Sequence, residues 1–98
     1  MRKIKELISK NKKVYIFLSS KDVQNRFMND AENQGLTFGD GVKPTERKAD
    51  DIMALLADGT ICYLGWAGHM CYRHYQENVI RVDYEKFINE EKDYIIHI

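Results

Sequence analysis

The stretch Ile52 to Gly65, IMALLADGTICYLG, constrains this chain more than any other. Asp58-Gly59 is a turn dipeptide that favours a two-residue type I′ connection, and strand-forming runs flank it on both sides. Counting outward from that turn pairs Leu56 with Ile61, Leu55 with Cys62, Ala54 with Tyr63, Met53 with Leu64 and Ile52 with Gly65. Apolar residues then fill both faces of the ribbon, whereas a hairpin with one face in water alternates apolar and polar. The hairpin therefore belongs in the middle of a sheet, with helices over one face and a second cover over the other. A second copy of the chain would serve as that cover, so a homodimer or higher homo-oligomer is one expectation.

The flanking sequence supplies the other elements. Val14 to Leu18, VYIFL, reads as a buried strand. It passes into a helix over Ser20–Gln34, with Ser19 as N-cap, Asp22 at N3, and Val23, Phe27 and Ala31 at helical spacing beside Met28. Gly35 supplies the left-handed position that ends the helix, and Leu36 the apolar residue after it. Arg2 to Lys10 carries Ile4, Leu7 and Ile8 on one stripe, a short amphipathic helix with a basic, solvated outer face. Leu36 to Phe38 forms a short strand before a polar surface loop, Gly39 to Asp50. In Val79 to Tyr84, residues Ile80, Val82 and Tyr84 alternate against Val79, Arg81 and Asp83 as in a half-buried strand. Asp83 caps a short helix, Tyr84 to Asn89, and Tyr94 to His97 closes as an edge strand. The expectation is a single α+β domain over residues 1–98. Its sheet is mainly antiparallel around the central Ile52–Gly65 hairpin, with one main helix (Ser20–Gln34) and short N- and C-terminal helices.

Ninety-eight residues, 44% of them apolar, can bury a core without disulfides or metal. Lys plus Arg and Asp plus Glu number fifteen each, so no global field draws the chain onto nucleic acid or an anionic membrane, and its surface is not that of an acidic DNA mimic. Any anion site must be local. The start MRKIKELISKNKK lacks the apolar core of a signal peptide, and no run approaches the roughly 20 apolar residues of a membrane span. The simplest location is the cytoplasm, with Cys62 and Cys71 as free thiols.

Four constellations carry chemistry. Gly39-Asp40-Gly41 with Lys43, Thr45 and Arg47 offers backbone amides beside cationic and hydroxyl donors, and Ser20-Lys21 opens a helix whose N-terminus favours an anion. Trp66, Tyr72 and Tyr75 suit stacking on a base, with His69 and Arg73 as orienting and phosphate-pairing donors. Neither glycine stretch matches a Walker or dinucleotide fingerprint. Cys62, His69, Cys71 and His74 are permissible zinc ligands, but their spacing matches no familiar knuckle, and no metal or cofactor is expected. Cys71 beside His69 or His74, with Asp40, Asp50 or Asp51, lacks the oxyanion donor and paired acid of a hydrolase. Hydrolysis of a nucleotide or phosphodiester is the reaction type it comes nearest to. Finally, Trp66 and its Tyr/Arg-rich surroundings are the residue types that anchor protein interfaces.

At Phe38-Gly39-Asp40-Gly41, Pro44, Asp58-Gly59-Thr60-Ile61, Gly65, Gly68-His69 and Val82-Asp83-Tyr84-Glu85-Lys86, the chain resembles small proteins encoded in phages and prophages of low-GC Gram-positive bacteria. The resemblance implies an accessory factor, many of which counter host immunity by sequestering a nucleotide signal or by binding a protein effector. The expected function is thus non-enzymatic binding of a small anionic ligand, with direct inhibition of a host defence or replication enzyme as the alternative.

Overall fold

The run VYIF can be satisfied on both edges only inside a sheet, and there it lies. The computed structural model describes residues 2–65, 72 and 77–97. Strand β1, Lys13–Phe17, pairs antiparallel with β3, Ile52–Leu55, and parallel with β5, Val79–Asp83. Strand β4, Thr60–Tyr63, continues the sheet antiparallel to β3, and the two-residue β2, Thr37–Phe38, adds to β4 in parallel. The order β2-β4-β3-β1-β5 makes a mixed five-stranded sheet, not the mainly antiparallel one expected. Both parallel pairings join strands that are not neighbours in the chain, so no hairpin signal announces them. Beyond β5, Ile95 bridges antiparallel to Val82, so the expected final edge strand contributes one bridge.

The turn at Asp58-Gly59 has a different geometry from the expected one. Leu56 N–H donates to the Thr60 carbonyl at 2.9 Å, Gly59 N–H donates to the Leu56 carbonyl at 3.0 Å, and Gly59 sits at φ +84°. A type I′ turn needs positive φ at both central residues, yet Asp58 is not left-handed. Its carboxylate instead accepts from Thr60 N–H at 3.0 Å and from the Thr60 hydroxyl at 2.6 Å, which suits a three-residue loop closed by a glycine bulge. The register moves by one: Met53 pairs with Tyr63, Ala54 with Cys62 and Leu55 with Ile61.

That shift sorts the side chains cleanly. Val14, Ile16, Met53, Leu55, Ile61 and Val82 form one buried face with the helices. Tyr15, Ile52 and Ala54 form the other, with Cys62, Leu64, Tyr72 and Val79 packed against them. Cys62 therefore shares its face with Ala54, not with Leu55 and Met53. Tyr72 lies 6.3 Å from the Tyr15 ring, centroid to centroid, so the chain supplies cover for its own second face. Arg81, expected on the wetter side of a half-buried strand, is buried there and donates from Nε to the Tyr72 carbonyl at 2.7 Å.

Helix α1, Lys21–Asn33, buries Val23, Phe27, Met28 and Ala31. Its cap is Ser20, one residue later than expected: the hydroxyl accepts from Val23 N–H at 3.2 Å, while Leu18 N–H is still held by the Asp51 carbonyl. At the far end Leu36 N–H reaches the Ala31 carbonyl and Gly35 N–H the Glu32 carbonyl, the six-to-one and five-to-two bonds of a Schellman stop, with Gly35 at φ +81°. Asp83 caps α2, Tyr84–Ile88, through Lys86 N–H. The expected N-terminal helix is a single 3-10 turn, Ile4–Leu7. So short a segment is a poor helix in isolation and takes its shape from tertiary contacts. Ile4 N–H donates to Gln34 Oε1, and the Arg2 guanidinium lies over the Phe87 and Tyr94 rings.

Candidate functional site

The glycine loop folds onto α1. Gly41, at φ +86°, donates its N–H to the Phe38 carbonyl, and Lys43 N–H donates to Glu46. Thr45 gives both its N–H and its hydroxyl to Glu32, the latter at 2.6 Å, holding the Glu32 carboxyl below the usual range. Arg47 pairs with Asp40 at 2.6 Å and lies 4.6 Å from the Phe38 ring centre. That hydrogen bond lowers the Asp40 carboxyl and raises the Arg47 guanidinium. Of the residues expected to cradle an anion here, Gly41, Thr45 and Arg47 thus hold protein partners, Asp40 brings a negative charge, and Gly39 lies in the same turn.

Ser20 and Lys21 stand at the opposite end of α1 from Glu32, which at helical rise is about 16 Å away. Lys21 there lines a groove of about 250 Å³ with Gln24, Asn25, Lys48 and Ala49. The tail of the loop reaches that helix start, but Thr45 does not. Trp66, His69, Arg73 and Tyr75 lie outside the described residues, as do His69, Cys71 and His74 of the zinc candidate. Among the described residues no three His, Cys, Asp or Glu side chains group as metal ligands. Burial raises the Cys62 thiol, against the opposing pull of the Lys13 ammonium.

A larger and more open cavity, about 460 Å³, lies at one end of the sheet. Its position follows from strand direction. Lys13 begins β1 beside Val79, which begins the parallel β5, and Lys13 N–H donates to the Asn78 carbonyl at 2.9 Å. Because β3 runs antiparallel to β1, with Val14 opposite Leu55, the end of β3 and its turn arrive at the same place. The lining is Lys10, Asn11, Lys12, Lys13, Tyr15, Leu56, Ala57, Asn78 and Val79. Among the described residues it holds three lysines and no carboxylate. Among the described residues none of the three lysines is in an ion pair. Apolar and amide side chains complete the wall, so the arrangement can hold an anion beside a neutral group.

The signal for this site is Lys10-Asn11-Lys12-Lys13, a tight cationic run immediately before a buried strand. Only Lys10 falls within the expected helix, on its solvated outer face; on the bend that leads into β1 the run lines a cavity. Comparison of the chain with protein-family models, with curated proteins and with solved structures gives no match. Among the described residues no helix is long and apolar enough to cross a membrane.

Proposed function

We propose that this chain is a non-catalytic accessory protein that binds and sequesters a small anionic ligand, at the sheet end lined by Lys10, Lys12 and Lys13. The observation that supports this reading is that, among the described residues, those three lysines line one groove with no ion-pair partner and no carboxylate beside them. Unpaired like charges held together repel one another, and an anionic ligand relieves that repulsion. Among the described residues the lining has no nucleophile paired with a base, so what they offer is charge and shape. The resemblance to phage-encoded proteins adds a setting, the host cytoplasm, in which a nucleotide immune signal is the ligand and binding alone suffices.

The test is a thermal-shift and calorimetric panel of inorganic pyrophosphate and linear and cyclic nucleotides. A ligand at 100 times its dissociation constant adds about 2.7 kcal/mol of stability, a visible change in melting temperature for a domain of this size. The triple variant Lys10→Gln, Lys12→Gln, Lys13→Gln should lose that response, and Arg47→Gln should keep it. A flat panel overturns the reading, and so does a response that survives in the triple variant. In the first case, inhibition of a protein partner becomes the function to pursue.

A further inference from the structure

The geometry points to a guanidinium-binding site at the corner between Phe87 and Tyr94, a site that Arg2 fills in cis and that takes the arginine side chain of a partner protein in place of Arg2. It shares no described residue with the lysine-lined cavity, so it stands apart from the anion-binding reading.

The walls are of the kind that select a guanidinium. The Arg2 Cζ lies 4.8 Å from the Tyr94 ring centre and 5.5 Å from that of Phe87, and the two rings meet at 68° with centroids 5.2 Å apart. Nη1 of Arg2 donates to the Glu91 carbonyl at 2.6 Å and to the Phe87 carbonyl at 3.2 Å. Two aromatic rings and two carbonyl oxygens suit a flat, delocalised cation with several donors in its plane. An ammonium can satisfy the carbonyls but has no plane to lay over a ring. The exposed chain at residues 90–93 carries Glu90, Glu91 and Asp93 against Lys92, so its field favours an incoming cation.

The corner is held by contacts that leave Arg2 out, and this is what makes its occupant exchangeable. Helix α2 stops with Glu91 N–H on the Lys86 carbonyl and Glu90 N–H on the Phe87 carbonyl, Glu90 standing at φ +60°. A glutamate in that left-handed position is uncommon, and the turn it makes brings the Glu91 carbonyl beside that of Phe87. Phe87 is buried, its ring 6.1 Å from that of Tyr84. Tyr94 is fixed through its own carbonyl, which accepts Asp83 N–H at 2.8 Å, and through the neighbouring bridge of Ile95 to Val82. Arg2 is tied in through its side chain, and the backbone bonds of this segment begin at Lys3 and Ile4. Buried Ile4 and Leu7 anchor the chain behind it, so Arg2 can leave without opening the core.

The experiment is thermal unfolding of the full chain carrying Arg2→Ala, with N-acetyl-arginine amide or N-acetyl-lysine amide added. A dissociation constant of about 1 mM and a concentration about ten times higher should raise the melting temperature of this variant by about 5 °C, and the rise should saturate. The lysine derivative should do far less, and wild type should not respond because Arg2 holds the site. Adding Tyr94→Leu to Arg2→Ala should remove the response. If Arg2→Ala does not fold, Arg2→Lys, which keeps a charge at that position, takes its place with the same expectations. The inference is overturned if the arginine derivative leaves the melting temperature unchanged, if the lysine derivative matches it, if wild type responds as strongly, or if the response survives Tyr94→Leu.

Discussion

Two parts of this molecule are rich in cations, and they differ in what the cations touch. In the loop after β2, Arg47 is held by Asp40 and laid over Phe38, and Thr45 is spent on Glu32. At the start of β1, Lys10, Lys12 and Lys13 stand around a cavity with no ion-pair partner among the described residues. The first arrangement organises the chain, and the second leaves charge for something outside it. By residue type the loop is the better phosphate cradle, having glycines, a threonine and an arginine. Partnering reverses the order, because a donor already satisfied must break a bond before it binds a ligand.

The comparison has a third, more extreme member. Asp30 is buried on α1, where it accepts the Tyr84 hydroxyl at 2.6 Å and the Arg26 Nε at 3.0 Å. Burial and that hydrogen bond push the Tyr84 phenol well above the ordinary tyrosine range. Asp30→Ala should have the largest effect on stability, a loss of about 2–3 kcal/mol in urea unfolding, since it strands a buried hydroxyl without an acceptor. Tyr84→Phe separates the terms by removing the donor and leaving Asp30 with Arg26; it should lose less than Asp30→Ala. Equal losses would mean that the hydrogen bond itself carries the whole effect. The pH response has a definite sign. A phenol whose folded value is raised lends its stability fully below about pH 10, and that stability drains away as pH rises above the unfolded value. Wild type should therefore weaken more steeply in alkali than Tyr84→Phe.

The same contrast explains what could be read from the residues. Local rules suffice for α1, whose apolar spacing and Gly35-Leu36 stop are complete within the helix, and for the Asp83 cap of α2. They do not reach the pairing of β1 with β5 or of β2 with β4, which joins residues distant in sequence. The hairpin register turned on one backbone angle: Asp58 used its carboxylate on Thr60 instead of adopting the left-handed conformation. Arg81 looked solvent-facing by alternation, and is buried because Tyr72 closes over it. The candidate site was hidden in a similar way. A run of lysines has no meaning until strand direction shows which hairpin turn and which strand start lie beside it.

The next effect is smaller. Arg47→Gln removes an exposed pair and a ring contact, and surface pairs contribute little, so its unfolding midpoint should fall by less than that of Asp30→Ala. The pH dependence makes this sharper. Asp40 has a lowered folded value, so its contribution is present above about pH 4, the unfolded carboxylate value, and is lost as pH falls further. Wild type and Arg47→Gln should differ at neutral pH and converge in acid as Asp40 protonates. A difference that persists undiminished at pH 2 would assign the stability to the Phe38 contact alone.

The smallest effect on the fold belongs to the lysines, and it has the opposite sign. Lys10, Lys12 and Lys13 are exposed and unpaired, so Lys10→Gln, Lys12→Gln, Lys13→Gln removes no native bond through a side chain. It does remove repulsion between like charges a few residues apart. At low ionic strength the triple variant should equal or slightly exceed wild type in stability, by no more than about 0.5 kcal/mol. Raising salt toward 1 M shortens the screening length to about 3 Å and should abolish the gain. The measurement is a pair of urea unfolding curves at low and high salt. A loss comparable to that of Arg47→Gln would show the lysines to be part of the scaffold, and the contrast between the two cationic regions would collapse. A gain that vanishes with salt marks them as charge kept at some expense to the fold, as expected of groups that serve a ligand.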